Sequence, residues 1–355
     1  MHYKKELLVW DDYSFGPYDT YFENCKICVL DIETTGLSPD RSHFVIGGLL
    51  SFQNDGTSIF SQYFVEDLLE EREVLRVYLD EVCKHDVIVT FNGRNFDVPF
   101  LLGRAKQLGF REPNLPHNLD VYLVLNKYSS LRKLLPNLKQ KTVENYMGLW
   151  TERTDTISGA ESASLYIEYL LMRENLEDTD ELRDILLLHN QDDVLQLGKL
   201  LPVFEKTDFH KAMYSLGFPV IFQDINPSLR DNSLSVKNRK LSVQDIKLEK
   251  TFLKVSGTQN SSPVDYVFYG DSSSDCQILF EKKSKTFEVY FPIIKKNDLV
   301  VIDLLKLPFN LSEEFSNFQI FESGYLVFMS QNDIKYKETN FFIKSFLTKV
   351  LGNIL

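Results

Sequence analysis

The run Lys26-Ile27-Cys28-Val29-Leu30-Asp31-Ile32-Glu33 constrains the fold of this 355-residue chain more than any other segment. It is apolar and partly β-branched, the pattern of a buried strand. It ends in two carboxylates at alternate positions. Side chains two apart on a strand point to one face, so Asp31 and Glu33 stand side by side where the strand emerges. Acids so placed repel each other and raise each other's pKa. A divalent cation relieves the repulsion, and Mg²⁺ or Mn²⁺ prefers hard oxygen ligands. Gly36 then lets the backbone turn, so that Thr34 and Thr35 present backbone and hydroxyl groups to a substrate. The plain alternative is a strand end whose acids are merely solvated.

The surrounding pattern sets this strand in a layered fold. His43–Phe52 and Thr57–Phe64 read as two further strands joined by a polar hairpin turn at Gln53–Gly56. Val65–Lys84 has helical apolar spacing, Asp86–Phe91 is a short buried strand, and Asn95–Leu108 is a helix ended by Gly109. Helices dominate from Leu119 to Leu201. This order predicts an α/β fold, a mixed sheet covered by helices. After Pro202 the texture changes. Residues 219–240 are polar and loop-like, with Pro219, Pro227 and Asn232, and 206–240 is expected to be a linker. From Leu241 short β-rich runs alternate with Ser, Asn and Asp turns and close on an amphipathic helix from about Lys335 to Leu351. The expected domains are therefore 1–205, and 241–355 as an α+β accessory domain of unknown role.

Charge and composition narrow the function. Residues 1–205 carry 34 acidic and 20 basic residues, a net −14, while 206–355 carry 17 and 19, a net +2, which together give −12. Long-range steering of a polyanion by the whole chain is not expected from this balance. The acidic excess is either a solvated surface or partly a metal site. No apolar run approaches the roughly 18–20 residues that span a bilayer, and no membrane association is expected. The first residues lack the apolar core of a secretory signal. Four cysteines do not make a disulfide framework. Cys25 and Cys28 lie in a strand with no second pair at zinc spacing, and read as buried strand cysteines. A soluble, reducing, cytoplasmic setting is expected.

Two further segments carry acids. Phe91-Asn92-Gly93-Arg94-Asn95-Phe96-Asp97-Val98-Pro99-Phe100-Leu101 follows a strand and opens a helix. Asp97 alone is readable as a first-turn acid favoured by the helix dipole. Leu188-His189-Asn190-Gln191-Asp192-Asp193-Val194 lies within a helix. His189 and Asp193 are four apart and share a face, and Asp192, three away, is also within reach of it. Between Asp120 and Glu144 there is no acidic residue, yet Lys127, Arg132, Lys133, Lys139 and Lys141 occur. This stretch is either a solvated helix face or a track for a phosphate backbone. Lys237, Arg239, Lys240 and Lys247 form a weaker candidate. Asp120 reads as a helix N-cap rather than a ligand.

Taken in order, DIETTG, FNGRNFDVPFL and HNQDDV resemble the three motifs of the D-E-D-D superfamily of 3′→5′ exonucleases, which share the ribonuclease H-like fold. Asn95-Phe96-Asp97 with Pro99 is similar to the second motif of family B polymerase proofreading domains. The resemblance is closest to the YprB-like predicted exonuclease family. There it extends to Lys141-Thr142-Val143-Glu144 with Gly148, to Ile157-Ser158-Gly159, and to Leu165-Tyr166 with Glu168-Tyr169, covering roughly residues 24–202. It implies a ribonuclease H-like mixed five-stranded sheet flanked by helices. It implies that Asp31, Glu33, Asp97 and Asp193 bind two Mg²⁺ or Mn²⁺ ions. Asp193 rather than Asp192 is the fourth acid, because the motif places an aromatic residue or histidine three intervening residues earlier. His189 stands at the spacing where one branch has tyrosine, and the resemblance implies that it acts as general base or orients the attacking water.

The implied reaction is metal-dependent hydrolysis of phosphodiester bonds of DNA or RNA from a 3′ end. The expected partner is single-stranded or 3′-ended nucleic acid, and protein partners are unknown. Thr34, Thr35, Asn95, Arg132 and Lys133 are expected at the nucleic acid, with Leu37 and Phe96 against the terminal bases. Two alternatives stand beside this expectation. One is a catalytically reduced nucleic-acid-binding module whose C-terminal domain recruits a partner. The other is an endonuclease on the same fold.

Overall fold

The computed structural model describes residues 2–9, 16–53, 55–149, 153–154, 157–227, 234–270, 274–315, 321–322 and 324–354. Asn54 of the expected hairpin turn and Asn232 of the expected linker lie outside the described residues. The chain divides into two compact units, Met1–Asp208 and Phe209–Leu355.

In the first unit the apolar runs form the strands that their pattern predicts: β2 (Ile27–Thr34), β3 (Phe44–Phe52), β4 (Thr57–Phe64) and β5 (Val87–Thr90). Two strands join them. β1 (His2–Val9) pairs antiparallel with β4, and β6 (His117–Asp120) pairs parallel with β5. The sheet is mixed and six-stranded, in the order β1-β4-β3-β2-β5-β6, not five-stranded. The additional strand is β1. Its sequence, HYKKELLV, puts Lys4, Lys5 and Glu6 into an edge position, where charged side chains are tolerated and discourage pairing with a further strand.

Among the described residues, helices alternate with and then follow the strands: α1 (Glu71–Val82), α2 (Asp97–Gln107), α3 (Val121–Tyr128), α4 (Leu131–Leu134), α5 (Gln140–Met147), α6 (Gly159–Glu174) and α7 (Asp180–Lys199). They cover both faces of the sheet, as two apolar clusters show. Cys28, Leu30 and Ile32 of β2 pack with Val74, Tyr78 and Val82 of α1 and Phe100 and Leu101 of α2. Val45, Ile46 and Phe64 pack with Tyr166 and Tyr169 of α6 and Leu186 and Leu187 of α7. Strand period therefore turns Asp31 and Glu33 away from α1 and α2 and toward α7.

Two features bring α7 close. Gly47 and Gly48 lie in the interior of β3, where a Cβ at position 48 would fall on Asn190 Oδ1 and 2.6 Å from Val194 Cγ2. A strand glycine of this kind marks a close approach. Pairing of β2 with β3 also shifts register at the functional end: Glu33 pairs with Ile46 and Thr34 with Phe44, so Val45 is the extra residue of a bulge.

The second unit holds α8 (Phe209–Leu216) and an antiparallel sheet of β7 (Phe218–Pro227), β8 (Leu234–Leu248), β9 (Phe252–Ser261), β10 (Tyr266–Phe268), β11 (Gln277–Glu281) and β12 (Thr286–Pro292) in the order β10-β11-β12-β9-β8-β7. A smaller sheet follows, formed by β13 (Ile294–Lys296), β14 (Leu299–Asp303), β15 (Phe321–Glu322), β16 (Tyr325–Ser330) and β17 (Asp333–Ile334). The chain ends in α10 (Tyr336–Asn353), after the one-turn α9 (Ser312–Phe315). Phe342 and Phe346 of α10 meet Phe291 of β12 edge-on, with centroids 4.9 and 4.7 Å apart. Much of the stretch 219–240, loop-like by composition, is therefore strand. Its prolines are accommodated because β7 is an edge, where a missing N–H breaks no ladder. Among the described residues no helix is long and apolar enough to cross a membrane.

Candidate metal centre

Three elements deliver acids to the carboxyl end of β2. Asp31 and Glu33 come from the strand itself. Asp97 is the first residue of α2 and is buried. Its carboxylate accepts hydrogen bonds from its own backbone N–H and from that of Ile32, which ties it to β2. Asp193 comes from α7. Glu33, His189 and Asp193 each offer a ligand atom within 4.8 Å of the others. His189, buried, lies between the two acids, with Nε2 3.5 Å from Glu33 Oε1 and 3.7 Å from Asp193 Oδ2.

Asp192 points elsewhere. Its Oδ2 accepts from the backbone N–H of Thr154 at 2.6 Å and from the Thr154 hydroxyl at 3.0 Å. Asp193 instead meets the guanidinium of Arg153, which is also held by Glu144 at 2.9 and 3.2 Å. These consecutive acids turn to different partners: Asp193 lies 3.7 Å from His189 Nε2, while Asp192 takes the N–H and hydroxyl of Thr154.

Support for the site comes from residues that sequence reasoning missed. Asn190, fully buried, donates from Nδ2 to Asp31 Oδ2 at 3.0 Å, and its Oδ1 accepts from Gln62 Nε2 at 2.9 Å. Gln62 also donates to the carbonyl of Leu187. Gln140 of α5 donates to the Asp193 carbonyl at 2.9 Å. Each reaches the site across a sequence separation of 50 residues or more, and no local pattern marks them. Asp120 is the N-cap of α3, accepting from Leu123 N–H, and it also accepts from the backbone N–H groups of Asn92 and Arg94. It thus fixes the turn that leads to Asp97.

The remaining candidate residues divide by exposure. The Thr34 hydroxyl donates to the Gly36 carbonyl at 2.8 Å, and Thr35 Oγ1 accepts from His43 N–H at 2.8 Å. Each hydroxyl thus has one partner within the turn: Thr34 Oγ1 uses its hydrogen there, and Thr35 Oγ1 uses a lone pair. The turn is braced from behind by Glu71, whose buried carboxylate holds His43, the Phe44 N–H and Arg104. Leu37 is 85% exposed. Asn95 is exposed and bonds to Asn92. Phe96 is partly buried against the α1–α2 cluster. Arg132 and Lys133 are exposed on α4. Arg239 and Lys240 lie on β8, while the Lys237 side chain is outside the described residues.

The electrostatics test whether a divalent cation fits. Burial, then the charges of Asp193, Asp97 and Glu33, hold the Asp31 carboxyl well above the usual range, against the lowering bond from Asn190. Burial pushes Asp97 up to about 7, against its backbone hydrogen bonds. The surroundings thus leave negative charge uncompensated even with Arg153 in place. The carboxylate oxygens of Asp31, Glu33, Asp97 and Asp193 are hard donors of the kind that suits Mg²⁺ or Mn²⁺. The residues fit such ions.

Comparison with known proteins gives a consistent frame. Residues 28–204 match the model of the RNase H superfamily. The chain is 30% identical over 95 residues to DNA polymerase 1 of Sulfurisphaera ohwakuensis, covering 23% of this chain and 11% of that protein. It is 31% identical over 101 residues to a DNA polymerase of Pyrococcus glycovorans, covering 26% and 13%. The chain thus matches only about an eighth of these curated relatives. Among solved structures, the family B DNA polymerase of Pyrobaculum calidifontis is 23% identical with a TM-score of 0.39, covering 51% of this chain and 24% of that one. Exonuclease I of E. coli in complex with a dT13 oligonucleotide is 10% identical with a TM-score of 0.31, covering 65% and 54%.

Proposed function

Residues 28–204 belong to the RNase H superfamily, and on that premise we propose that the first unit is a divalent-metal-dependent nuclease that removes nucleotides from the 3′ end of a nucleic-acid strand. The observation that carries this reading is the meeting of Glu33, His189 and Asp193 beside Asp31 and Asp97, from three separate elements. The similarity to archaeal DNA polymerases supports it, together with the resemblance of the second motif to proofreading domains.

A phosphodiester is shielded by its own charge, so the site must supply positive charge and a basic group. Asp31, Glu33, Asp97 and Asp193 would hold two Mg²⁺ or Mn²⁺ ions. When bound, such a pair supplies Lewis acidity toward both the attacking and leaving oxygens. His189, fixed between Glu33 and Asp193, takes the proton of the attacking water. Asn190 holds the Asp31 carboxylate in place. Hydrolysis adds water across one P–O bond and releases a 5′-mononucleotide and a strand one residue shorter. Leu37, exposed at the turn, and Phe96 flank the terminal bases. Asn95 and the backbone of Thr34 and Thr35 line the same end. Arg132 and Lys133 meet the phosphate backbone.

The test is incubation of 5′-labelled single-stranded DNA and RNA with the full chain and Mn²⁺. A ladder shortened from the 3′ end is expected, absent with chelator and in Asp31→Ala. Full activity in Asp97→Asn would remove the assignment. Cleavage of circular single-stranded DNA would instead favour an endonuclease, and binding without cleavage a catalytically reduced module.

A further inference from the structure

Consecutive acids of α7 grip consecutive residues of another segment. Asp192 accepts both hydrogen bonds of Thr154, and Asp193 meets Arg153. The Arg153 side chain is 8% exposed, and Glu144 beneath it is 1% exposed. Glu144 takes Nε and Nη2 in a two-pronged contact at 2.9 and 3.2 Å, and Nη2 also reaches Asp193 Oδ1. A guanidinium is always charged and pairs with carboxylates and phosphates in the same planar fork. Here it covers one oxygen of an acid that the metal-binding reading needs.

We infer that Arg153 is a phosphate-binding residue of the nuclease site that, before metal and substrate arrive, occupies Asp193 as an internal counter-ion. This rests on the function proposed above. Glu144 is the fixed anchor and Asp193 the exchangeable partner. The two acids differ in exposure as this requires: Glu144 is sealed, while Asp193 is 20% exposed at the site. With Asp193 engaged by a divalent cation, Arg153 would give up its Nη2 contact to that acid and would stay anchored on Glu144. The positive charge then remains beside the site, where a substrate phosphate offers a second fork of oxygens. Thr154, tied to Asp192, keeps the segment in register throughout.

This exchange makes metal and phosphate binding cooperative, because the phosphate pairs the guanidinium that the metal displaces. The test uses the full chain and Mn²⁺ binding read by electron paramagnetic resonance, with and without a saturating nucleoside 5′-monophosphate. In its absence, Arg153→Gln is expected to bind Mn²⁺ about tenfold more tightly than wild type, since nothing competes for Asp193, whereas Arg153→Lys stays closer to wild type. The tightening of Mn²⁺ caused by the nucleotide is expected to be about threefold or more larger in wild type than in Arg153→Gln. Equal or weaker Mn²⁺ binding by a folded Arg153→Gln, or equal nucleotide coupling in both, overturns the inference while leaving the nuclease reading standing. If wild type and Asp31→Asn alike take up no Mn²⁺, both fall. Should Arg153→Gln not fold, Arg153→Lys decides: it keeps the charge but loses the fork, so unchanged nucleotide coupling in that variant counts against the inference.

Discussion

Gly48→Ala tests the close contact on which the site depends. The added methyl group would fall on Asn190 Oδ1 and lie 2.6 Å from Val194 Cγ2. Asn190 has no cheap escape, since one end is bonded to Gln62 and the other to Asp31. Forcing a methyl into a packed contact costs about 1–3 kcal/mol. Losing a buried hydrogen bond adds about 0.5–1.5 kcal/mol. A total of about 1.5–4.5 kcal/mol follows, a fall of roughly 3–18 °C in the melting temperature of a unit this size. Gly159 is the control. It is the first residue of α6, beside the Ser158 capping box, and a Cβ there meets nothing within 4 Å. Gly159→Ala is expected to stabilise by about 0.4–1 kcal/mol through the unfolded chain. Calorimetry of the full chain measures both. The decisive reading is the cycle with Asn190→Ala, in which removing the obstructing side chain should recover at least about 1 kcal/mol of the Gly48→Ala cost. Additive costs, or a Gly48→Ala as stable as wild type, would refute the packing argument.

Three further outcomes are expected. Asp31→Asn should raise the melting temperature of the metal-free protein, since it removes a buried charge crowded by Asp193, Asp97 and Glu33, and should abolish nucleotide release; a metal-free melting temperature that falls would contradict the charge crowding. His117 is held down to about 3 by burial and then by the charge of Arg94, so the unfolded chain binds its proton and the folded one does not between about pH 6.5 and 3. Stability should therefore decline as pH drops through that window, by up to about 1.4 kcal/mol per pH unit, and denaturant titrations of His117→Gln should show a shallower decline; matching slopes would remove His117 as the cause. Replacing Arg132 and Lys133 by alanine should raise KM and flatten its dependence on salt with kcat little changed, and an unaltered salt slope would take α4 out of the nucleic-acid path.

The centre of the first sheet was legible because its strands are apolar runs with clear punctuation. β2, β3, β4 and β5 fall within a few residues of their expected spans. β1 escaped because an edge strand bearing Lys4, Lys5 and Glu6 lacks a buried-strand pattern, and its pairing with Thr57–Phe64 is a long-range fact. The stretch after Pro219 read as a loop because proline and asparagine break interior strands, whereas β7 lies at an edge. In the site, spacing alone left Asp31, Glu33, Asp97 and Asp193 open to plain structural readings, and it was the resemblance of their three motifs taken together that singled them out. Thr34 and Thr35 illustrate the limit: residue type does not reveal that each hydroxyl also has a partner within the turn. Arg153, Asn190 and Gln62 act through tertiary approach alone.

The bulge at Val45 has a consequence for how this site tolerates change. Strand phase decides on which side of the sheet Asp31 and Glu33 emerge, and that phase is set by the ladder from Cys28 to Glu33. Beyond Glu33 the alternation is already out of step, so residues gained or lost between 35 and 43 can be absorbed there without rotating either acid. Deleting a residue from β3 between Ile46 and Ser51, by contrast, would turn one side of the sheet into the other. Natural variation in this turn should accordingly run to length as well as composition, while the strand segment opposite Cys28 to Glu33 keeps a fixed number of residues.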